Sequence, residues 1–389
     1  MRFSFEDDSE KITLQKVSGC DGLTLGITIP RPGTLGQFLA GYDRRVITKL
    51  RVIDSIDAED IATLNALPNL SVLDMENADL TRLPSKAFKD NKTLTSIKLP
   101  KTLTTIGEKA FSHCTGLTGN LTIPNSVIEI GERAFWNCTG LTSVTIQEGV
   151  KMIWTGAFNA CSGLTGNLTI PNSVIEIGER AFFYCTGLTS VTIQEGVKMI
   201  GQEAFEGCTG LTGNLTIPNS VIEIGEEAFY KCTGLTGRLM IPNSVTEIGH
   251  SAFAQCSGLT SVMISESVTT IEEYAFSACS GLTGNLTIPN SVTKIRQGAF
   301  WDCTGLTSVT IPSGVTNIQM HAFSACAGLT TIYCKANTPP QLYLGRHSEA
   351  FKGVSTSKCV LYVPTGCAHA YRTAEGWRNY DFKIIETKF

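Results

Sequence analysis

The sequence predicts an α/β solenoid, a stack of similar coils in which each coil contributes a parallel strand and a helical return. One observation is a repeat: the dipeptide Ala-Phe recurs at steps of 23 or 24 residues through most of the 389-residue chain. Another is that each unit carries the same apolar pattern, which one unit could not bury alone but which stacked copies bury in a continuous core. The recurring phenylalanines are Phe88, Phe111, Phe135, Phe158, Phe182, Phe205, Phe229, Phe253, Phe276, Phe300, Phe323 and Phe351, the last after a step of 28.

The first half of each unit has the spacing of a strand. Leu121 and Ile123 alternate with Asn120 and Thr122, which is the period of a strand with one buried face. Pro124 follows, and because proline has no N–H to donate, we expect it to end the strand.

The second half of the unit has a longer spacing. Val127, Ile130, Ala134, Phe135 and Cys138 lie mostly three or four residues apart, which is typical of a short helical turn. Parallel strands need a return connection, and this segment is predicted to provide it.

Part of the chain is duplicated without change. Residues 117–135 are identical to residues 164–182, and residues 138–153 are identical to residues 185–200, both at a shift of 47. A catalytic site is a unique set of residues, and duplicated coils hold nothing unique. The duplication therefore favours a structural or binding role over an enzyme.

Cysteine occupies one position of the repeat, three residues after the phenylalanine. Asn91 stands there in the first unit, and an amide can replace a thiol in a hydrogen bond but not in a disulfide. We therefore expect buried, reduced thiols that donate to backbone carbonyls. Cys20, Cys359 and Cys367 lie outside this position, and a disulfide that involves Cys359 or Cys367 stays open. The repeat-position cysteines are Cys114, Cys138, Cys161, Cys185, Cys208, Cys232, Cys256, Cys279, Cys303 and Cys326.

Composition and motifs exclude several classes of protein. The net charge of −4 predicts no nucleic-acid surface. Hydrophobic residues make up 42% of the chain, enough for a folded core, yet no apolar run approaches the length of about 18 that a transmembrane helix needs. The first 15 residues contain no apolar segment, so we expect a secretory signal to be absent or removed. No H-E-x-x-H, G-x-S-x-G or P-loop occurs, and no catalytic residue, metal or cofactor is predicted.

The repeat resembles the BspA-type leucine-rich repeat, which occurs in surface proteins of anaerobic mucosal bacteria and of some parasitic protists. The shared pattern is L-x-x-[IVL]-x-[IL]-P-x-x-[VL]-x-x-I-x-x-x-A-F-x-x-C, and it covers roughly residues 45–365. Residues 33–35 and 70–75 look like the N-terminal module of that family, and residues 359–364 and 371–377 look like its terminal cap. Exported members begin with a signal peptide or a lipid-anchor cysteine, and we expect neither in the first residues of this sequence.

The resemblance implies a leucine-rich repeat right-handed superhelix, curved like a horseshoe, with parallel strands on the concave face and short helical or 3-10 turns on the convex face. It implies an N-terminal cap over residues 1–44, a solenoid over residues 45–335, and a last coil with a C-terminal cap over residues 336–389. It also implies display at the cell surface or secretion, a protein or glycan ligand, and no enzyme activity. We expect a monomer.

The end segments carry signals of their own. Residues 48–53 alternate like a strand, and Asp57 is predicted to cap a helix over residues 58–67. Towards the other end, residues 361–363 predict a last strand and residues 368–376 a short helix.

Outward side chains of the strands form the predicted binding surface. Most are threonine, a strand former that tolerates water, so departures from threonine are the better candidates. Arg238, Met240 and Met263 place a guanidinium and two soft apolar side chains on adjacent coils, which suits a protein partner. The row of Asn and Ser before them suits an extended, repetitive ligand such as a glycan, or is a neutral polar surface. The candidates on this face are Asp74, Lys98, Arg238, Met240, Met263 and Tyr333.

A second set of candidates follows the repeat phenylalanine, on the predicted convex side. These residues are large and aromatic, and they either pack against a neighbouring coil or form an aromatic stripe for a partner. They are Trp136, Phe183, Tyr230 and Trp301.

The sequence therefore predicts a binding or adhesion scaffold. One alternative is a structural, self-assembling envelope protein. A less favoured one is a glycan-active enzyme that uses the acidic cluster over residues 54–60, although acids at the start of a helix also explain that cluster.

Overall fold

The computed structural model describes residues 15–16, 25–29, 31–343 and 349–389, so Cys20 and most of residues 1–24 lie outside the described part. The chain divides into two compact units, Met1–Leu188 and Thr189–Phe389. Within each unit the chain winds in coils, and most coils contain a long strand, a two-residue short strand and a run of turns. Long strands pair in parallel with long strands of adjacent coils, and short strands pair with short strands. The exception is the short strand Ala78–Asp79, which pairs with the end of the long strand Lys49–Ser55.

The first unit begins with an antiparallel pair, Gln15–Lys16 against Leu25–Thr28, and all its further described pairs are parallel. Its long strands are Leu25–Thr28, Lys49–Ser55, Val72–Asp74, Ser96–Lys98, Gly119–Ile123, Leu141–Ile146 and Gly166–Ile170. Its short strands are Ala78–Asp79, Arg82–Leu83, Thr105–Ile106, Glu129–Ile130, Met152–Ile153 and Glu176–Ile177.

The second unit repeats the arrangement. Its long strands are Leu188–Ile193, which begins at the boundary between the units, and Gly237–Met240, Leu259–Met263, Gly284–Thr287, Leu306–Ile311, Thr331–Cys334, Val360–Pro364 and Lys383–Thr387. Its short strands are Met199–Ile200, Glu223–Ile224, Glu247–Ile248, Thr270–Ile271, Lys294–Ile295, Asn317–Ile318 and Gln341–Leu342. Parallel pairing continues through the last strand, which lies beyond the strand that the sequence predicts to be last.

The predicted alternation of the long strands is confirmed. Leu121 and Ile123 are buried while Thr122 between them is exposed, and Leu121 pairs with Val144 of the next coil. The register shifts between Leu141 and Ser143, opposite Gly119, whose φ of +72° lies in the left-handed region that glycine adopts without strain. Coils of 23 and 24 residues therefore stack without moving the buried side chains out of register.

The return segment differs from the predicted helical turn. The N–H groups of Arg133, Phe135 and Asn137 donate to carbonyls of the next coil at 2.7–2.8 Å. The N–H groups between them close turns within the coil, as Ala134 does on Gly131 at 3.1 Å. A helix would use every N–H internally, so these hydrogen bonds between coils would be lost. The pattern requires left-handed backbone at Arg133 and Asn137, with φ of 51° and 57°.

The repeat phenylalanines form the centre of each unit. All of them are buried and have no exposed surface. In the first unit, the rings from Phe88 to Phe182 stack with centroids 5.0–5.3 Å apart. In the second unit, the rings from Phe205 to Phe351 stack at 5.3–5.6 Å. The aromatic column is thus the part of the core that the coils from Phe88 to Phe351 share within each unit.

Helix is confined to the ends in the described part of the chain. Ala58–Asn65 is the longest helix, and the predicted cap is confirmed because Asp57 accepts from the N–H groups of Glu59 and Asp60. The predicted C-terminal helix is also confirmed, over Ala368–Thr373. The remaining helices are Leu35–Phe38 and the 3-10 turns Leu39–Gly41, Arg44–Val46 and Trp377–Asn379.

The cysteine column lies beside the aromatic column, as expected. All 13 cysteines in the described residues are free, and all except Cys367 are buried. Cys114 Sγ donates to the carbonyl of Phe88 at 2.9 Å, and Cys279 Sγ donates to that of Phe253 at 3.1 Å. Burial raises the pKa of Cys279 to about 12. The thiols therefore serve as short hydrogen-bonding links between successive coils.

Candidate functional site

The face formed by the outward side chains of the long strands, called here the long-strand face, carries a polar network. Asn120 Oδ1 accepts hydrogen bonds from Ser143 at 2.9 Å and from Thr145 at 3.1 Å, while Asn120 Nδ2 donates to Thr122 at 3.2 Å. Asn285 repeats these contacts in the second unit. Much of the hydrogen-bonding capacity of this row is therefore used between coils.

Three residues of the second unit interrupt that network, and we call them the Met240 patch: Arg238, Met240 and Met263. Met240 and Met263 are direct partners on adjacent strands and are 54% and 40% exposed. Arg238 Nη2 lies 3.4 Å from Met263 Sδ, so the guanidinium stays beside the two thioethers. The structure thus brings together the three residues that the sequence placed on adjacent coils.

Asp74 is a correction, because the sequence places it on the exposed face and the structure buries it. Its carboxylate lies 3.1 Å from Arg51 and 3.4 Å from Lys98, and it accepts from the Glu76 N–H. Burial alone would raise the pKa of Asp74, but the Glu76 N–H and the charges of Lys98 and Arg51 outweigh burial and lower it. Lys98 is exposed as predicted, although its ammonium pairs with Asp74 and Glu76.

Tyr333 is predicted to be exposed on the long-strand face, but the structure shows it half-buried. Its ring stacks on that of Tyr362 in the next strand, with centroids 5.0 Å apart, and meets the edge of Phe389 at 6.4 Å. The residue that covers it comes from the C-terminal segment, so spacing within the repeats could not have predicted the contact.

The turns after the repeat phenylalanine form the turn edge of each unit, and the predicted aromatic residues lie there. Trp136 packs on His113 of the preceding coil at 4.6 Å, and Phe183 packs on Tyr184 at 4.5 Å. Tyr230 accepts a hydrogen bond from Gln255 at 2.9 Å. These three are half-buried, whereas Trp301 is 44% exposed. Packing within the unit thus accounts for much of their surface.

A serine, a histidine and a carboxylate meet at the turn edge near residue 324. His321 lies 3.1 Å from the hydroxyl of Ser324 through Nδ1 and 2.8 Å from the carboxylate of Glu349 through Nε2. Ser324 is 3% exposed, and its hydroxyl donates to the carbonyl of Glu349. A nucleophile must reach a substrate and give its proton to the base, so this set acts as a structural link.

The structure also brings together a set of ligating groups that sequence reasoning missed. Donor atoms of Glu226, Glu227 and His250 all lie within 4.8 Å of one another, and so do those of Glu203, Glu206 and Glu227. Burial raises the pKa of Glu206 to about 7, and Glu203 and Glu227 add to the effect. The signal that could have found this set is the change from Glu132-Arg133 and Glu179-Arg180 to Glu226-Glu227 in otherwise matching coils.

Sequence comparison decides the family. Residues 81–212 and 212–330 match the BspA type leucine-rich repeat region in six copies, which covers more than half of the chain. The chain belongs to the BspA-type leucine-rich repeat family. The expectation drawn from the Ala-Phe and Cys pattern is confirmed.

Solved structures agree with this fold. A leucine-rich repeat protein from Bacteroides ovatus is 22% identical, with a TM-score of 0.53 over 85% of this chain and 95% of that chain. The pneumococcal vaccine antigen PcpA is 19% identical, with a TM-score of 0.51 over 100% of this chain and 99% of that chain. Both support a leucine-rich repeat solenoid of many parallel coils. No curated protein is significantly similar in sequence.

In the part of the chain that the structure describes, every helix is too short or too polar to cross a bilayer.

Proposed function

We propose that this BspA-type protein is a non-enzymatic binding protein of the cell surface or the secreted fraction, and that a protein partner binds its long-strand face at the Met240 patch. Residues 1–44 and 336–389 act as caps of the solenoid over residues 45–335. The protein acts as a monomer that offers surface to a host or neighbouring-cell macromolecule.

The exposure of Met240 and Met263 is the observation that carries this proposal. At the equivalent strand positions within each unit, small polar side chains bond to one another, as those around Asn120 and those around Asn285 do. A pair of half-exposed thioethers contributes nothing comparable to the stability of the coil. Met side chains adapt to the shape of a partner, and Arg is enriched at the centre of protein interfaces.

A binding measurement tests the proposal. Purified extracellular-matrix and mucosal proteins are passed over the immobilised chain, and the tightest binder is titrated against Met240→Glu with Met263→Glu. The two new carboxylates would be buried in the interface without a cationic partner. We therefore expect the Kd to rise at least tenfold, a loss of about 1.4 kcal/mol of binding free energy, through faster dissociation. The matched control is Thr122→Glu with Thr145→Glu, the equivalent outward positions of the first unit.

Equal loss of binding in both double variants would show that charge on this face matters and not the patch. Unchanged binding in the methionine variant would contradict the proposal. Both variants must keep the thermal transition of the parent, so that loss of fold is not read as loss of affinity.

A further inference from the structure

The cluster of Glu226, Glu227 and His250 stands where the chain departs from its own repeats. Residues 128–135 and 175–182 both read IEIGERAF, whereas residues 222–229 read IEIGEEAF. In the two earlier copies the arginine pairs with the preceding glutamate, at 3.0 Å between Arg133 and Glu132. Glu227 replaces that arginine, so Glu226 loses the cation and gains a second carboxylate beside it.

The preceding coil shows the same kind of change. Residues 151–161 read KMIWTGAFNAC and residues 198–208 read KMIGQEAFEGC, so Glu203 and Glu206 stand where the earlier copy has Gly156 and Asn159. Three new carboxyl groups thus occur in two adjacent coils, all at the turn edge.

Hydrogen bonds between coils hold these positions in register. The N–H of Glu203 donates to the carbonyl of Glu226 at 2.8 Å, and the N–H of Glu227 donates to that of His250 at 2.8 Å. Side chains of three successive coils therefore lie along one strip of the turn edge. Donor atoms of Glu226, Glu227 and His250 form one group within 4.8 Å, those of Glu203, Glu206 and Glu227 form another, and Glu227 belongs to both.

Glu206 shows that acidic groups are concentrated on this strip. It is 7% exposed, and its carboxyl group is in contact with that of Glu203. Lys231 contributes some positive potential, but its ammonium lies over the ring of Tyr230. Three carboxyl groups whose oxygens lie within 4.8 Å of one another repel when charged, and a bound cation would offset that repulsion.

We propose that Glu226, Glu227 and His250 bind a divalent transition-metal ion of the Zn²⁺ type, with Glu206 as the buried acid behind Glu227. Two carboxylates and one imidazole are a donor set that zinc takes, at about 2.0–2.2 Å from each ligand atom. Donor atoms within 4.8 Å of one another reach such distances by small side-chain rotations. The imidazole separates this site from those of Ca²⁺ and Mg²⁺, which take oxygen ligands. This inference does not depend on the proposed partner.

Metal titration of the full chain tests the site. The protein is stripped with a chelator, kept reduced, and titrated with Zn²⁺ by calorimetry and with Co²⁺ by absorption spectroscopy. We expect one saturable site per chain, and we expect His250→Gln and Glu227→Arg each to weaken binding by at least about tenfold. Glu227→Arg restores the residue that the chain already holds at two equivalent positions, so it should fold.

Two variants serve as controls for the titration. Glu132→Gln changes the residue equivalent to Glu226 in an earlier copy, and His113→Gln removes a histidine that packs on Trp136; both should bind the ion like the parent. A cobalt spectrum with thiolate bands would assign binding to cysteines and overturn the proposal. Absence of saturable binding would overturn it as well, and so would Ca²⁺ or Zn²⁺ affinity that survives both His250→Gln and Glu227→Arg.

Discussion

Phe229→Ala is expected to lower the free energy of unfolding by about 3–5 kcal/mol, because removal of a fully buried aromatic ring loses its transfer free energy and leaves a cavity. The Phe229 ring has no exposed surface and stacks between those of Phe205 at 5.3 Å and Phe253 at 5.4 Å. Neighbouring coils are fixed by hydrogen bonds along the backbone, so they cannot collapse into the space. Urea denaturation followed by circular dichroism measures the loss.

Met240→Ala is the control for this experiment. Its side chain is 54% exposed, so truncation should change the free energy of unfolding by no more than about 0.5 kcal/mol. If Phe229→Ala lowered the free energy of unfolding by no more than Met240→Ala does, the aromatic column would not be the shared core.

Asp60→Ala is expected to lower the free energy of unfolding by at least about 3 kcal/mol, although it removes only one carboxylate. Asp60 has no exposed surface and accepts hydrogen bonds from the N–H groups of Gly33 at 2.8 Å, Leu35 at 3.0 Å and Asp57 at 3.2 Å. Each buried donor left without an acceptor costs about 1–3 kcal/mol. The residues before the first repeat coil should then detach first, which limited proteolysis within residues 31–45 would detect.

Glu59→Ala provides the comparison for Asp60. Glu59 is exposed in the same first turn of the helix, so its removal should cost only the favourable interaction with the helix dipole, about 0.3–1 kcal/mol. Similar stability of the two variants would contradict the role of Asp60 as the link between Gly33, Leu35 and the helix.

The sequence predicts the buried residues of this fold well and the backbone between them less well. Period-two alternation at Leu121 and Ile123 identifies the strand, because a half-buried strand has no other way to place its apolar side chains. The spacing of Ala134, Phe135 and Cys138 also fits a ladder of turns. Asn137 is a residue type that tolerates left-handed backbone, but Arg133 is not, so residue types alone do not identify the ladder. The helical prediction was therefore wrong although every predicted core residue is buried.

Surface residues are predicted less well because their exposure depends on neighbours from distant parts of the chain. Met240 and Met263 lie in the repeat register and are exposed as expected. Asp74 is buried because Arg51 and Lys98 of adjacent strands converge on it. No single glutamate around Glu227 predicts a site from its own sequence context. Comparison of this coil with its earlier copies identifies the group, because those copies have other residues at the same positions.

Alkylation of the native protein, read by mass spectrometry, tests the shared core most directly. Each repeat cysteine lies inside the stack, and burial raises the pKa of Cys326 to about 12, as for Cys279, so little reactive thiolate forms. Among the described cysteines, we predict that iodoacetamide at pH 8 modifies Cys367 alone in the native state and modifies all of them in denaturant. Rapid modification of Cys256 or Cys279 in the folded protein would contradict the stacked-coil account.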